Sequence, residues 1–174
     1  SLWFYGANTP VYLLLIVSSI LVNYGFYMLS KRLSGGIRTA AKAAAVALNL
    51  GILFYFKYYD FFISTVNSLF GCDWALKHII LPLGISFFTF QQVSFVADAF
   101  NGEVPDYGLL EYACFVTYFP QLVAGPIVTH DELVPQLLDD GKKRFDWENF
   151  ARGVYIFAMG LGKKVLIADS LSRV

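Results

Sequence analysis

Residues 10–29 read PVYLLLIVSSILVNYGFYML, without a single Asp, Glu, Lys or Arg. A helix of that length covers about 30 Å, the thickness of a bilayer's hydrocarbon core. Pro10 suits a first helical turn, where its missing N–H would be unpaired in any case, and the run closes on Lys31 and Arg32, as a span meeting headgroups does. The charge-free stretch begins at Ser1. No basic region precedes the apolar run and Ser18-Ser19 gives no convincing cleavage site, so it reads as a membrane span rather than a signal peptide.

The remainder of the 174-residue chain has the same character. It is 57% hydrophobic, 18% aromatic and 15% charged, whereas soluble domains carry about 25% charge. A water-facing globule is not expected. Thirteen basic and thirteen acidic side chains cancel, which leaves neither the basic field of a nucleic-acid binder nor the high net charge of a disordered chain. Lipid is the expected partner. Cys72 and Cys114 lie in no CxxC spacing and read as small buried apolar side chains. The chain opens on Ser1 and closes on Ser172-Arg173-Val174 without an evident terminal cap, so it is expected to be part of a longer protein.

Working outward, four further segments compete for membrane or interfacial roles. Residues 40–56, extendable to 70, end at Gly71; Lys57 and Asp60, three apart, are expected to pair on a helix among aromatic side chains suited to a headgroup boundary. Residues 79–97 contain Leu81-Pro82-Leu83-Gly84, where a helix is only starting or where a broken helix re-enters the membrane. Residues 109–128 are interrupted by Pro120, whose ring clashes one turn back near Val116. Residues 129–149, crowded with Asp131, Glu132, Asp139, Asp140, Lys142, Lys143, Arg144, Asp146 and Glu148, read as an aqueous loop. A last helix over about 148–171 lies in the interface or spans at a tilt, since Phe150, Val154, Phe157 and Leu161 share its length with Arg152, Lys163 and Lys164.

The sequence thus predicts an all-α fold, a polytopic transmembrane helical bundle of about four to five membrane segments. It forms a single, incomplete integral-membrane domain over 1–174, with the aqueous loop at about 129–149. Lys31, Arg32, Arg38 and Lys42 place the first loop in the cytoplasm, and Lys142, Lys143 and Arg144 pull the last loop to the same side. An even number of crossings must separate them. Three apolar segments lie between, so either 40–70 is a bent pair or one segment is re-entrant, the piece from Leu81 being the best candidate. The small residues of 40–47 would let helices approach closely in lipid.

Polar groups at membrane depth are the best pointers to function, because each is costly without a partner. Gln91, Ser94 and Asp98 fall within about 60° of one another around a helix. They line a hydrated passage or, as such residues more often do, provide hydrogen bonds between helices. Glu111, Cys114, Tyr118, Gln121 and Gly125 share another face, beside the backbone opened by Pro120. The two faces could meet in a polar seam. His78 and His130 sit at segment edges and read as interfacial or surface side chains, His130 with Asp131 being at best a weak dyad and the weaker site candidate. No HExxH and no carboxylate cluster suggests a metal, and Gly160-Leu161-Gly162-Lys163-Lys164 lacks the spacing and the Ser or Thr of a P-loop. Small packing residues and basic headgroup anchors explain it better.

Four ordered strings carry a more specific signal: Asn49-Leu50-Gly51 with Phe56-Lys57-Tyr58, Leu81 through Gln92, Phe119-Pro120-Gln121-Leu122-Val123-Ala124-Gly125-Pro126-Ile127-Val128, and Gly160 through Asp169. Together they resemble the membrane-bound O-acyltransferase family, most of all its bacterial alginate O-acetyltransferase branch. The resemblance implies a multi-pass enzyme of the cytoplasmic (inner) membrane. It would move an acyl group, usually acetyl, from acetyl-CoA or a related thioester to hydroxyls of an extracytoplasmic polysaccharide, such as alginate or another cell-envelope polymer. It implies no further cofactor, and it implies extracytoplasmic partner proteins that accept or relay the acyl group. The family's catalytic histidine lies after a motif rich in Trp, Arg and His, which the resemblance places beyond Val174, so this stretch alone is expected to be inactive. Relatives often carry a basic residue after Gly-Pro-Ile-Val, where Thr129-His130 stands here. The alternatives are a secondary transporter, which would favour two halves with paired broken helices, and a non-catalytic membrane scaffold.

Overall fold

The computed structural model describes residues 10–118, 128–142 and 144–172, and among them there is helix, turn and irregular chain but no strand. The chain divides into two compact units, Ser1–Val134 and Pro135–Val174.

In the first unit, helix α1 occupies Pro10–Ser30, as the charge-free stretch requires. Next comes a single rod: α2 over Gly35–Leu53, a π-helical turn over Phe54–Tyr58, and α3 over Tyr59–Phe70. Val11–Ser30 and Gly35–Phe70 are both long and apolar enough to cross a membrane. The rod is 36 residues long, about 54 Å, and its continuity removes the bent-pair reading of 40–70. Gly71, with φ +65°, ends it in the left-handed conformation that glycine adopts without penalty. The π turn holds an extra residue, so residues three apart across it no longer share a face. The expected Lys57–Asp60 pair is accordingly replaced: Lys57 donates to the Ser86 hydroxyl at 3.3 Å, and Asp60 accepts the backbone N–H groups of Lys77 at 2.8 Å and Ile79 at 3.3 Å.

Residues 71–84 are not helical, so the third predicted segment starts six residues later than expected, as α4 over Ile85–Asn101. Chain that lacks its own hydrogen-bond ladder needs partners elsewhere. Here they are side chains: the Asn67 carboxamide brackets the N–H and C=O of Trp74, at 3.0 and 2.9 Å, Asp60 holds Lys77 and Ile79, and the Tyr12 phenol donates to the Ile80 carbonyl. Gly102, with φ +86°, stops α4.

Helix α5 covers Leu109–Val116 and ends at the residue where the Pro120 ring was expected to clash. Gln121, Gly125 and the rest of 119–127 lie outside the described residues. Helix α6, His130–Leu138, interrupts the stretch that reads as an aqueous loop. Its acids Asp131 and Glu132 sit in the first turn, where negative charge favours the helix dipole, so dense charge here starts a helix rather than preventing one. A hydrogen bond from the Thr129 hydroxyl holds the Asp131 carboxyl below its usual value.

Helix α4 is central to the first unit. Ala45, Asn49 and Leu53 form a stripe on α2 at i, i+4 and i+8, and all three are buried. Ile16, Ile20 and Tyr27 do the same for α1, and Ile85, Phe88, Phe95, Val96, Ala99 and Phe100 for α4. Phe95 is the hub of an aromatic cluster, with ring centroids 4.4 Å from Tyr112, 5.3 Å from Tyr27 and 6.1 Å from Phe115. Cys114 is exposed and Cys72 partly so, contrary to the expectation that both are buried, because α5 turns Tyr112, Phe115 and Val116 inward instead.

The ends of these helices are tied in register. At one end Lys31 pairs with Asp106 at 2.6 Å, Lys42 donates to Asn101 at 2.7 Å, and Arg38 reaches the Ala99 carbonyl at 3.4 Å. Their hydrogen bond and charge raise the Lys31 pKa and lower that of Asp106. Helix α2 therefore leaves this end while α4 arrives at it, and the two run antiparallel. Tyr27 fastens the connection between α4 and α5, donating to the Pro105 carbonyl at 2.8 Å and accepting from the Tyr107 N–H at 3.0 Å.

In the second unit, α7 over Trp147–Gly162 continues through a π-helical stretch, Lys163–Ala168, into the short α8, Asp169–Leu171. This is close to the helix expected over 148–171. Asp146 caps it, accepting from the N–H groups of Glu148 and Asn149 at 2.8 and 3.2 Å. Phe145, Trp147 and Phe150 cluster at its start, with centroids 4.8 to 6.2 Å apart.

Candidate functional site

Two groups of polar side chains are buried in the first unit. The first joins three helices. Asn23 of α1 and Asn49 of α2 exchange carboxamide hydrogen bonds in both directions, at 3.0 and 2.7 Å. Gln92 of α4 completes the group, its Oε1 accepting from the Ser19 hydroxyl at 2.9 Å and from the Asn23 amide. Asn23, Asn49 and Gln92 are almost wholly buried. A cleft of about 150 Å³ opens beside them, with Asn23, Asn49, Ser18 and Ser19 on its wall among Leu15, Val22, Leu48, Ile52 and Phe88. Gln92 Nε2 has no hydrogen-bond partner.

The second group lies on the face of α4 that the sequence singled out. Gln91 is buried with its Nε2 unpartnered, one turn before Ser94 and two before Asp98. The Ser94 hydroxyl is 3.5 Å from Asp98 Oδ2, and the same oxygen is 3.4 Å from His130 Nε2. His130 is 4% exposed. Its imidazole meets Phe95, Tyr107 and Phe115 edge to face, at centroid distances of 5.4, 6.0 and 6.5 Å, while its Nδ1 is buried without a partner. The expectation that His130 is a surface side chain is therefore overturned, and its carboxylate partner is Asp98 rather than the adjacent Asp131. The reason lies in α6, which begins at residue 130 and turns His130, Leu133 and Val134 to one buried side. His78 is exposed, as expected, in a left-handed conformation with φ +49°.

The other candidates fall elsewhere. Glu111 belongs to the first turn of α5 and folds back over Gly108, its Oε2 lying 2.5 Å from where a Cβ there would sit. That is how an acid serves its own helix start. Cys114 and Tyr118 are exposed. Gln121 lies outside the described residues. Among the described residues no group of three or more His, Cys, Asp and Glu side chains could hold a metal ion. Sequence reasoning missed Ser19, Asn23, Asn49 and Gln92 as a cluster. The available signal was a lone carboxamide in each of two apolar runs, since such a group at membrane depth needs a partner on a neighbouring helix.

The arrangement offers buried hydrogen-bonding groups and one imidazole facing a carboxylate, with the Ser94 hydroxyl on the far side of that carboxylate rather than against the imidazole. Comparison with known proteins adds the chemistry. Residues 7–174 match the model of the membrane-bound O-acyltransferase family. The chain is similar to the peptidoglycan O-acetyltransferase of Helicobacter pylori, 35% identical over 199 aligned positions that cover 99% of this chain and 38% of that protein. It is also similar to the "probable alginate O-acetylase AlgI" of Pseudomonas aeruginosa, 37% identical over 80% of this chain and 28% of that protein, and to its namesake of Azotobacter vinelandii, 35% identical over 81% and 30%. The chain thus spans less than two fifths of the length of these relatives. No solved structure matches.

Proposed function

Because the chain belongs to the membrane-bound O-acyltransferase family, we propose that it forms part of an enzyme that transfers acetyl groups to hydroxyls of an extracytoplasmic polysaccharide. The observation that carries this reading is the similarity, over 99% of the chain, to a protein described as a peptidoglycan O-acetyltransferase. The donor in this reading is acetyl-CoA or a related thioester. The acceptor oxygen attacks the thioester carbonyl, a C–O bond forms, the C–S bond breaks, and the hydroxyl proton passes through a general base to the departing thiolate. That base is assigned, by the family resemblance, to sequence outside residues 1–174.

The site supports a passage rather than a reaction centre in this part of the protein. Helices α1, α2 and α4 place Ser19, Asn23, Asn49, Gln91 and Gln92 at the heart of an apolar bundle, where unpaired polar groups are tolerated only beside protein or water. On the positive-inside rule the end bearing Lys31, Arg32, Arg38 and Lys42 faces the cytoplasm in the inner membrane, and Asn101 and Asp106 lie at that same end. The thioester would enter there. The polymer, and the proteins that accept or relay the acyl group, would meet the opposite face.

The test is chemical. The complete reading frame encoding this chain is expressed with and without its downstream partners, and alkali-labile acetate is measured on isolated peptidoglycan and on secreted uronate polymers. Acetate should rise on one of these polymers only when the protein is in the membrane. No change on either, with the protein present in the membrane fraction, refutes the assignment.

A further inference from the structure

The Asp98 and His130 geometry goes beyond anything the family resemblance assigns. These residues are 32 positions apart in sequence, on two different helices, yet Asp98 Oδ2 stands 3.4 Å from His130 Nε2. The imidazole is enclosed by the rings of Phe95, Tyr107 and Phe115, drawn from α4, the following connection and α5. The Asp98 carboxylate faces Nε2, while Nδ1 is buried without a partner. An aromatic box of this kind fixes the plane of the ring, and the carboxylate fixes its rotation within that plane. The same logic orients histidines in metal sites and catalytic triads, where the partner of one ring nitrogen decides what the other can do.

We propose that Asp98 and His130 are a positioning pair for the acyl transfer proposed above: the carboxylate on α4 locks the imidazole into its aromatic box and thereby fixes where α6 starts against α4. Two features make this more than a packing contact. The pair joins the helix that carries the polar face of Gln91 and Ser94 to the first residue of α6, two residues after the Gly125-Pro126-Ile127-Val128 string. It is also uneven in burial: the His130 side chain is 5% exposed and the Asp98 side chain 28%, with the Ser94 hydroxyl 3.5 Å from the same Asp98 oxygen, so the enclosed imidazole depends on the pair for a polar neighbour more than the carboxylate does. The inference rests on the acyltransferase reading for its effect on rate, while the lock itself can be measured without it.

The experiment uses the complete protein in detergent micelles with Asp98→Asn, His130→Gln, the double variant and Asp98→Glu. Hydrogen exchange is read at the Leu133 and Val134 amides, and acetyl transfer is resolved into kcat and KM for the thioester. Exchange at these amides should be at least tenfold faster in either single variant and no faster in the double. In the same variants kcat should fall about tenfold at unchanged KM, by more than any shift in thermal midpoint accounts for at the assay temperature, with Asp98→Glu recovering much of the loss. Multiplicative effects in the double variant, exchange no different from the parent, or a kcat loss that merely follows a fall in thermal midpoint would overturn the proposal. If the parent transfers no acetyl group, the functional reading fails and the exchange cycle alone decides on the lock. Should a variant not accumulate, the parent still decides: Leu133 and Val134 must exchange more slowly than Leu138, and equal rates would refute the lock.

Discussion

Replacing Asn23 and Asn49 by leucine, singly and together, tests the buried amide cluster most directly. Leucine is close to asparagine in shape, so the comparison isolates hydrogen bonding from volume. In Asn23→Leu the Asn49 Nδ2 still reaches the Ala45 carbonyl at 2.8 Å, but its Oδ1 loses the Asn23 donor. A buried orphan of this kind costs about 1–3 kcal/mol; hydrogen bonds between membrane helices average about 0.6 kcal/mol and reach about 1.7. Because the exchanged pair is two bonds, each single variant is expected to lose about 1.5 kcal/mol. The double variant leaves neither partner stranded, and the Gln92 Oε1 keeps the Ser19 hydroxyl, so its loss should be below about 0.5 kcal/mol. Reversible unfolding in mixed micelles measures all four proteins. If the double variant loses the sum of the singles to within about 0.5 kcal/mol, the two carboxamides act independently and the cluster is not a unit.

Three further outcomes are expected. Gly102→Ala should destabilise by about 1 kcal/mol, because φ +86° strains any residue with a Cβ, while Gly51→Ala, mid-helix with open space around it, should be neutral or stabilising by up to about 1 kcal/mol; equal thermal shifts for both would contradict this. Tyr27→Phe strands the Pro105 carbonyl and the Tyr107 N–H, and should speed hydrogen exchange at Tyr107 before anywhere else in the unit. The Asp106 carboxyl is lowered from its ordinary 3.8 and the Lys31 ammonium raised from 10.5. Their pair therefore contributes above the ordinary carboxyl range and is lost as pH falls through the lowered value, and at the alkaline end it is lost above the lysine range. The thermal difference between parent and Asp106→Asn should thus shrink below pH 4, and a difference that persists undiminished at pH 2.5 would reject the assignment.

Helix α1 was readable because twenty uncharged positions admit one interpretation, and the close of the rod at Gly71 because glycine alone turns left-handed there freely. The π turn was not readable: nothing in Phe54-Tyr55-Phe56-Lys57-Tyr58 breaks the helical period, and the extra residue shows only in which side chains Lys57 and Asp60 reach. On α4 the polar face was legible from spacing, yet its partner was not, since pairing Asp98 with His130 is a long-range event that local pattern does not encode. Charge density misled the reading of 129–149, where two acids at a helix start look the same as two acids in a loop. Asn23 and Asn49 were visible individually; only the antiparallel packing of α2 on α4, with α1 beside them, shows that they converge.

The π turn at Phe54–Tyr58 has a consequence for the evolution of this rod. It acts as a phase shifter: everything from Tyr59 to Phe70 is rotated by nearly a third of a revolution relative to an unbroken α-helix. Removing one residue there would give a more regular cylinder, and would swing Asp60 and Asn67 together away from the irregular chain they fasten at Trp74, Lys77 and Ile79. Length in this stretch is therefore constrained more tightly than side-chain identity, and a one-residue deletion should be harder to accommodate than several substitutions.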